Sequence, residues 1–182
     1  MSVSTWRRRV YWRWRRLLWQ VLPDPLTKLA SPAAFALRAW PCRFVAETTL
    51  AVIDLDGFAY INDRFGHLVG DEVLVAVASQ LRTRYPQACA RKRPGSRFVV
   101  VLPGIGPAQA ASDLAGFLEH IDRGFQHLAY VDIYGVQRTL TASVGVARAT
   151  RRARTRAVMA VAEDALREAK RSGGGQVRIA GL

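Results

Sequence analysis

Apolar and polar positions along this chain fall into short continuous runs separated by helical faces. TTLAVIDLD (Thr48–Asp56) is apolar at successive positions and β-rich, which predicts a central strand covered on both sides. QACARK and RFVVVLPG predict two strands joined by a turn at Pro94–Gly95. LAYVDIYG and VQRTLTASVGVARA predict a hairpin around Gly135, and QVRIA a short last strand. Helical periodicity marks PAQAASDLAGFLEHIDRGF and AVMAVAEDALREAKRSGGG, the second closed by Gly173–Gly175. Ser31–Pro32 predicts the start of a helix to about Arg38, and Asp71 after Gly70 a cap for one to about Arg84. GFAYINDRFGHLVG combines turn residues with short helical pieces. Hairpins mixed with helical crossovers predict an α+β fold: a mostly antiparallel central sheet flanked by helices.

Residues 1–22 differ from the rest. They hold six Arg, four Trp and no acid. At helical spacing Trp6, Val10, Tyr11, Trp14, Leu17, Leu18, Val21 and Leu22 share a broad apolar face, with most Arg opposite. The expectation is a basic amphipathic helix over 6–22, ended by Pro23 and Pro25. Such a helix fits an anionic membrane surface, and equally a docking or dimerising surface on protein. Domains are therefore drawn at 1–22 and 23–182.

Charge sharpens this picture without deciding it. The 182 residues carry a formal net charge of +13, which favours anionic partners. Cys42 and Cys89 lack metal spacing and read as reduced thiols. No apolar run reaches membrane-spanning length. The expected location is the cytoplasm, with peripheral attachment at the inner face of the plasma membrane through residues 6–22 as an extension. RATRRARTR (Arg148–Arg156) adds five Arg, read as a solvated loop, so nucleic acid is disfavoured as a partner.

The chemistry concentrates in IDLDGFAYINDRFGHLVGD. Asp54 and Asp56 end a buried strand beside a glycine turn, with Asn62, His67 and Asp71 close behind. Carboxylates so placed can hold Mg²⁺ and phosphates. They can also merely cap helices.

Taken with DPLTKL, GDEVL, LTASVGVA (Leu140–Ala147) and AEDALREAK (Ala162–Lys170), in this order and spacing, the run resembles the GGDEF domain of diguanylate cyclases over about Asp24–Gly175. The resemblance implies the nucleotidyl cyclase/polymerase palm fold. It also implies a facing dimer that makes cyclic di-GMP from two GTP. By the same resemblance Asp54 stands where the family binds Mg²⁺, Asn62 and Asp71 where it reads guanine, and Lys170 where it meets phosphates.

This chain departs from the family at specific positions. The signature turn is Pro94-Gly95-Ser96-Arg97-Phe98, with Ser96 for the second metal carboxylate and Arg97 for a Glu that assists the reacting centre. Ala59 and Gly174 replace a Lys and an Arg that contact phosphate, and the inhibitory Arg-x-x-Asp site falls on Tyr85 and Ala88. The expectation is a non-catalytic member that binds GTP or GDP through Asn62, Asp71, Lys170 and Arg97, with weak Mg²⁺ at Asp54. Another GGDEF domain, an effector protein or a second copy are the expected protein partners. Two alternatives stay open: a residual or partner-dependent diguanylate cyclase, and a basic membrane- or nucleic-acid-associated adaptor.

Overall fold

The computed structural model describes residues 23–30, 34–35, 47–86, 89–92, 94–150 and 153–181. The expectations for residues 1–22, Ser31–Pro32, Cys42 and Ala88 lie outside these, as do Arg151 and Arg152.

Five strands form one sheet in the order β2-β3-β1-β6-β7, with β1 (Thr48–Asp56) central between β3 (Arg97–Pro103) and β6 (Thr141–Arg148). β2 (Cys89–Lys92) lies on one edge and β7 (Val177–Ile179) on the other. All pairings are antiparallel except β6 with β7. The helices are α1 (Phe58–Phe65), α2 (His67–Arg84), α3 (Pro107–Gly124) and α4 (Thr155–Arg171).

Both sheet faces are covered, which is why β1 lacks polar alternation. Ala51, Ile53 and Leu55 pack with Phe98, Val100 and Leu102 of β3 and with Val77, Leu114 and Phe117 from α2 and α3. Leu50 and Val52 pack on the opposite face with Val158, Ala162 and Leu166 of α4. Side chains alternate along a strand, so Asp54 and Asp56 project to the α4 face. At Gly145 of β6, a Cβ would collide with the Ala162 carbonyl and the Leu166 amide of α4. Glycine there lets the helix lie close, and this brings its last turn, with Lys170, over the ends of β1 and β6.

Two sequence expectations need correction. The hairpin around Gly135 exists, but only as a short ribbon of β4 (Tyr130–Val131) and β5 (Gln137–Arg138). The chain leaves the ribbon at Thr139–Leu140, and β6 joins the main sheet as a separate strand. The apolar run TASVGVA has the central strand to bury against, so it does not continue the hairpin. Asp71 is no cap: α2 begins four residues earlier at His67, after Gly66 with φ +88°. The turn at Gly66 needs a positive φ that glycine supplies cheaply, so the backbone starts the helix without a side-chain cap.

The DPLTKL segment folds as a turn around one carboxylate. Asp24 Oδ1 accepts from the Thr27 amide and hydroxyl, each at 2.7 Å. Arg82 of α2 donates to the Thr27 carbonyl, and Leu29 is fully buried beneath. Of the helix expected over Ser31–Arg38, Ala34 and Phe35 are described and helical.

Candidate nucleotide site

The end of β1 is a compact charge network set by strand register. Asp54 pairs across the ladder with Arg97 on one side and Ser143 on the other. Partners directly opposite share a face, so Arg97 is delivered to Asp54 by the β1–β3 pairing itself. Its Nε lies 3.0 Å from Asp54 Oδ2. Ser96 Oγ donates to Asp54 Oδ1 at 2.7 Å, and Lys170 Nζ sits 3.0 Å from Oδ2. Asp54 is only 6% exposed, so its charge depends on these partners.

Asp56 is bound as firmly. Lys170 Nζ lies 3.2 Å from its Oδ1. Its Oδ2 accepts from Ser143 Oγ at 2.8 Å, Thr141 Oγ1 at 3.2 Å and the Gly175 amide at 3.0 Å. Gly174 follows the left-handed path at φ +76°, and a Cβ on it would stand 3.2 Å from Asp56 Oδ2. Asp56 therefore ties β6 and the glycine turn after α4 into the site. Sequence reading did not assign it this role. The signal was present, because two Asp two residues apart in a strand share a face.

The opposite wall is made by α1 and the ribbon. Gly57, at φ +71°, caps α1, and any side chain there would run into the Tyr130 hydroxyl. Tyr130 stacks on Tyr60 with ring centroids 5.0 Å apart and planes 7° off parallel. Burial pushes the Tyr130 hydroxyl's pKa up, partly offset by the nearby Arg138 charge.

Asn62 lies on α1, and its side-chain oxygen is buried without a hydrogen-bond partner in the structure. Gly70 of α2 leaves room for that oxygen. Asp71 is the next residue, exposed within α2. Neither side chain caps a helix. Ala59 is exposed on α1. Tyr85 stands at the end of α2 against Phe117, and burial raises its pKa.

Neither Asp54 nor Asp56 presents a carboxylate oxygen free of protein partners, as a Mg²⁺ held by one or two carboxylates and nucleotide phosphates would need. That ion demands several oxygen ligands in near-octahedral geometry. Here both Asp54 oxygens face donors or cations, and Asp56 is fully engaged. Among the described residues no three His, Cys, Asp or Glu converge. Arg97 and Lys170 supply the positive charge the two carboxylates require.

Comparison with known proteins decides the family. The profile described as "Diguanylate cyclase, GGDEF domain" matches residues 21–176. The chain belongs to the GGDEF family. Diguanylate cyclase DgcP of Pseudomonas aeruginosa is 35% identical over 169 residues, which cover 88% of this chain and 24% of that protein. A crystal structure of the coiled coil and GGDEF domain of DgcB from Caulobacter crescentus, in complex with c-di-GMP, superposes with a TM-score of 0.75 at 25% identity. It covers 97% of this chain and 95% of that one. Diguanylate cyclase SiaD of Pseudomonas aeruginosa, solved with its activator SiaC, gives a TM-score of 0.72 at 27% identity, covering 98% and 70%. This GGDEF chain spans 24–42% of the length of the first curated relatives it matches. Among the described residues of this GGDEF chain no helix is long and apolar enough to cross a membrane.

Proposed function

We propose that this GGDEF-family protein binds a guanine nucleotide without cyclising it, and acts by that binding in cyclic di-GMP signalling. One observation carries the reading: Arg97 and Ser96 are turned onto Asp54, so the position of the signature carboxylates neutralises Asp54 instead of recruiting metal. Phosphoryl transfer depends on charges preorganised around the reacting phosphate, and losing one such group commonly costs about 10²–10³ in rate. Here the signature carboxylates are replaced together by a hydroxyl and a fixed cation.

Base recognition is supported independently. The Asn62 oxygen lacks a hydrogen-bond partner within the protein and packs against Gly70, and the Asp71 carboxylate that follows Gly70 is exposed. A guanine edge offers N–H groups of the kind both can accept. Lys170 is 36% exposed beside the two aspartates and can turn toward phosphate.

Two measurements test the proposal on the whole chain. Incubation with GTP and Mg²⁺ or Mn²⁺, read by mass spectrometry, is expected to give no cyclic di-GMP. Calorimetric titration with GTP and GDP in EDTA is expected to show binding. Cyclic di-GMP formation restores the cyclase alternative, and no binding at millimolar nucleotide removes the nucleotide reading. The SiaC complex of SiaD favours a second reading, in which a protein partner is what the domain binds. Attachment to an anionic membrane through residues 6–22 belongs to the same proposal, and vesicle co-sedimentation with and without residues 1–22 tests it.

A further inference from the structure

Asp56 and Lys170 open onto a cleft of about 590 Å³ whose other wall is the β4–β5 ribbon. Gly57, Gly174, Gln137 and Arg138 also line it. No sequence motif draws attention to Arg138, yet the ribbon is built to present it. Asp132 Oδ1 accepts from the Tyr134 amide at 2.9 Å and the Val136 amide at 3.0 Å, closing the turn. Its Oδ2 receives Arg138 Nε at 2.6 Å. That contact holds the Asp132 carboxyl below the usual range and Arg138 above its own. Only Nε is engaged: among the described residues neither terminal guanidinium nitrogen has a partner.

The cleft offers an anion free N–H donors rather than a net positive charge. Its lining holds Asp56, Lys170 and Arg138, with Lys170 also 3.0 Å from Asp54 and Arg138 paired through Nε with Asp132. Asp132 is not part of the lining, and Asp56 is already satisfied by four donors. A guanidinium with a fixed Nε and two free Nη groups offers the planar fork that phosphate oxygens accept.

We propose that Arg138, positioned by Asp132, is a phosphate-binding residue that seats the polyphosphate end of the nucleotide together with Lys170 and without metal. This rests on the nucleotide reading for the base but not for the phosphates. The cation that a polyphosphate ordinarily carries as Mg²⁺ is supplied by the protein.

The test is calorimetry of the full chain with inorganic tripolyphosphate in EDTA. Binding is expected, weakened at least tenfold by Arg138→Gln and less by Arg138→Lys. Arg123→Gln removes an equal charge outside the cleft and is expected to leave the affinity within twofold. Thermal unfolding of each variant shows that the fold is kept. No tripolyphosphate binding, or equal losses from Arg138→Gln and Arg123→Gln, overturns the assignment. Guanosine provides the separation from the base reading. If guanosine binds and tripolyphosphate does not, Arg138 is wrongly assigned and the base reading stands. If tripolyphosphate binds through Arg138 and GTP binds no tighter, the assignment holds and the base reading falls.

Discussion

Arg97 stands directly across the β1–β3 ladder from Asp54, and its Nε closes to 3.0 Å from the Asp54 carboxylate. A permanent cation thus balances the Asp54 charge. Clearing the β3 side of Asp54 requires removing both the Arg97 cation and the Ser96 donor, which leaves Lys170 on Oδ2. The double substitution Ser96→Glu with Arg97→Glu does so and adds two carboxylates. Mn²⁺ binding, followed by electron paramagnetic resonance, is expected to strengthen at least tenfold over the unsubstituted chain. Equal Mn²⁺ binding by both proteins would show that Arg97 does not block the site.

The same contact predicts a stability effect with a defined shape. Asp54→Asn keeps the volume but removes the charge facing Arg97 and Lys170. Breaking a fully buried pair costs about 3–5 kcal/mol. Arg97 is 44% exposed and Lys170 36%, so both cations can turn to water and the cost shrinks to about 1–2 kcal/mol. Arg97→Gln alone is expected to cost under about 1 kcal/mol. Urea unfolding of both single variants and the double variant should reveal coupling, because the residues share one network. Strict additivity would contradict the network.

Much of this fold is legible along the chain. The uninterrupted apolar run of β1, the Pro94–Gly95 turn and the periodic face of α4 are local signals, and each element lies where its pattern places it. The motif around Asp54 was equally plain. What sequence could not supply was the destination of Arg97. It follows from the register Asp54↔Arg97, a pairing of residues 43 apart. The sequence places Arg97 among the candidate phosphate contacts, and in the structure its Nε is directed to Asp54. Arg138 and Asp132 escaped notice because a short exposed ribbon carries no periodicity. Asp71 read as a cap because Asp commonly caps helices, while the actual start at His67 relies on backbone geometry at Gly66.

Asn62 offers a separation of stability from binding. Its buried oxygen has no partner, so truncation removes an acceptor that already lacks a hydrogen bond. Leaving a buried acceptor unsatisfied carries a desolvation cost of about 1–3 kcal/mol. Asn62→Ala is therefore expected to leave Tm nearly unchanged or slightly raised, while GTP affinity falls at least tenfold. A residue kept only for folding would show the opposite pattern: a lower Tm and unchanged affinity. Thermal unfolding and calorimetry on the same preparation distinguish the two.

The ribbon turn is expected to be acid-sensitive through one residue. The Arg138 hydrogen bond, with the Val136 and Tyr134 amides, depresses the Asp132 carboxyl below its unfolded value. A depressed folded-state pKa gives stability that is present above the unfolded pKa, near about 3.9 for Asp, and is lost as pH falls through the folded value. Protonation removes the acceptor charge and releases Arg138. Protection of the Tyr134 and Val136 amides, relative to their intrinsic exchange rates at each pH, is expected to fall locally as pH drops below the unfolded Asp value through the lower folded one. Asp132→Asn should show fast exchange already at neutral pH and lose this pH dependence. Because Arg138 loses its anchor in both cases, tripolyphosphate affinity in EDTA is expected to fall in parallel in Asp132→Asn at neutral pH. Unaltered exchange in that variant would mean that the turn is held by its backbone alone, and that Arg138 reaches the cleft without Asp132.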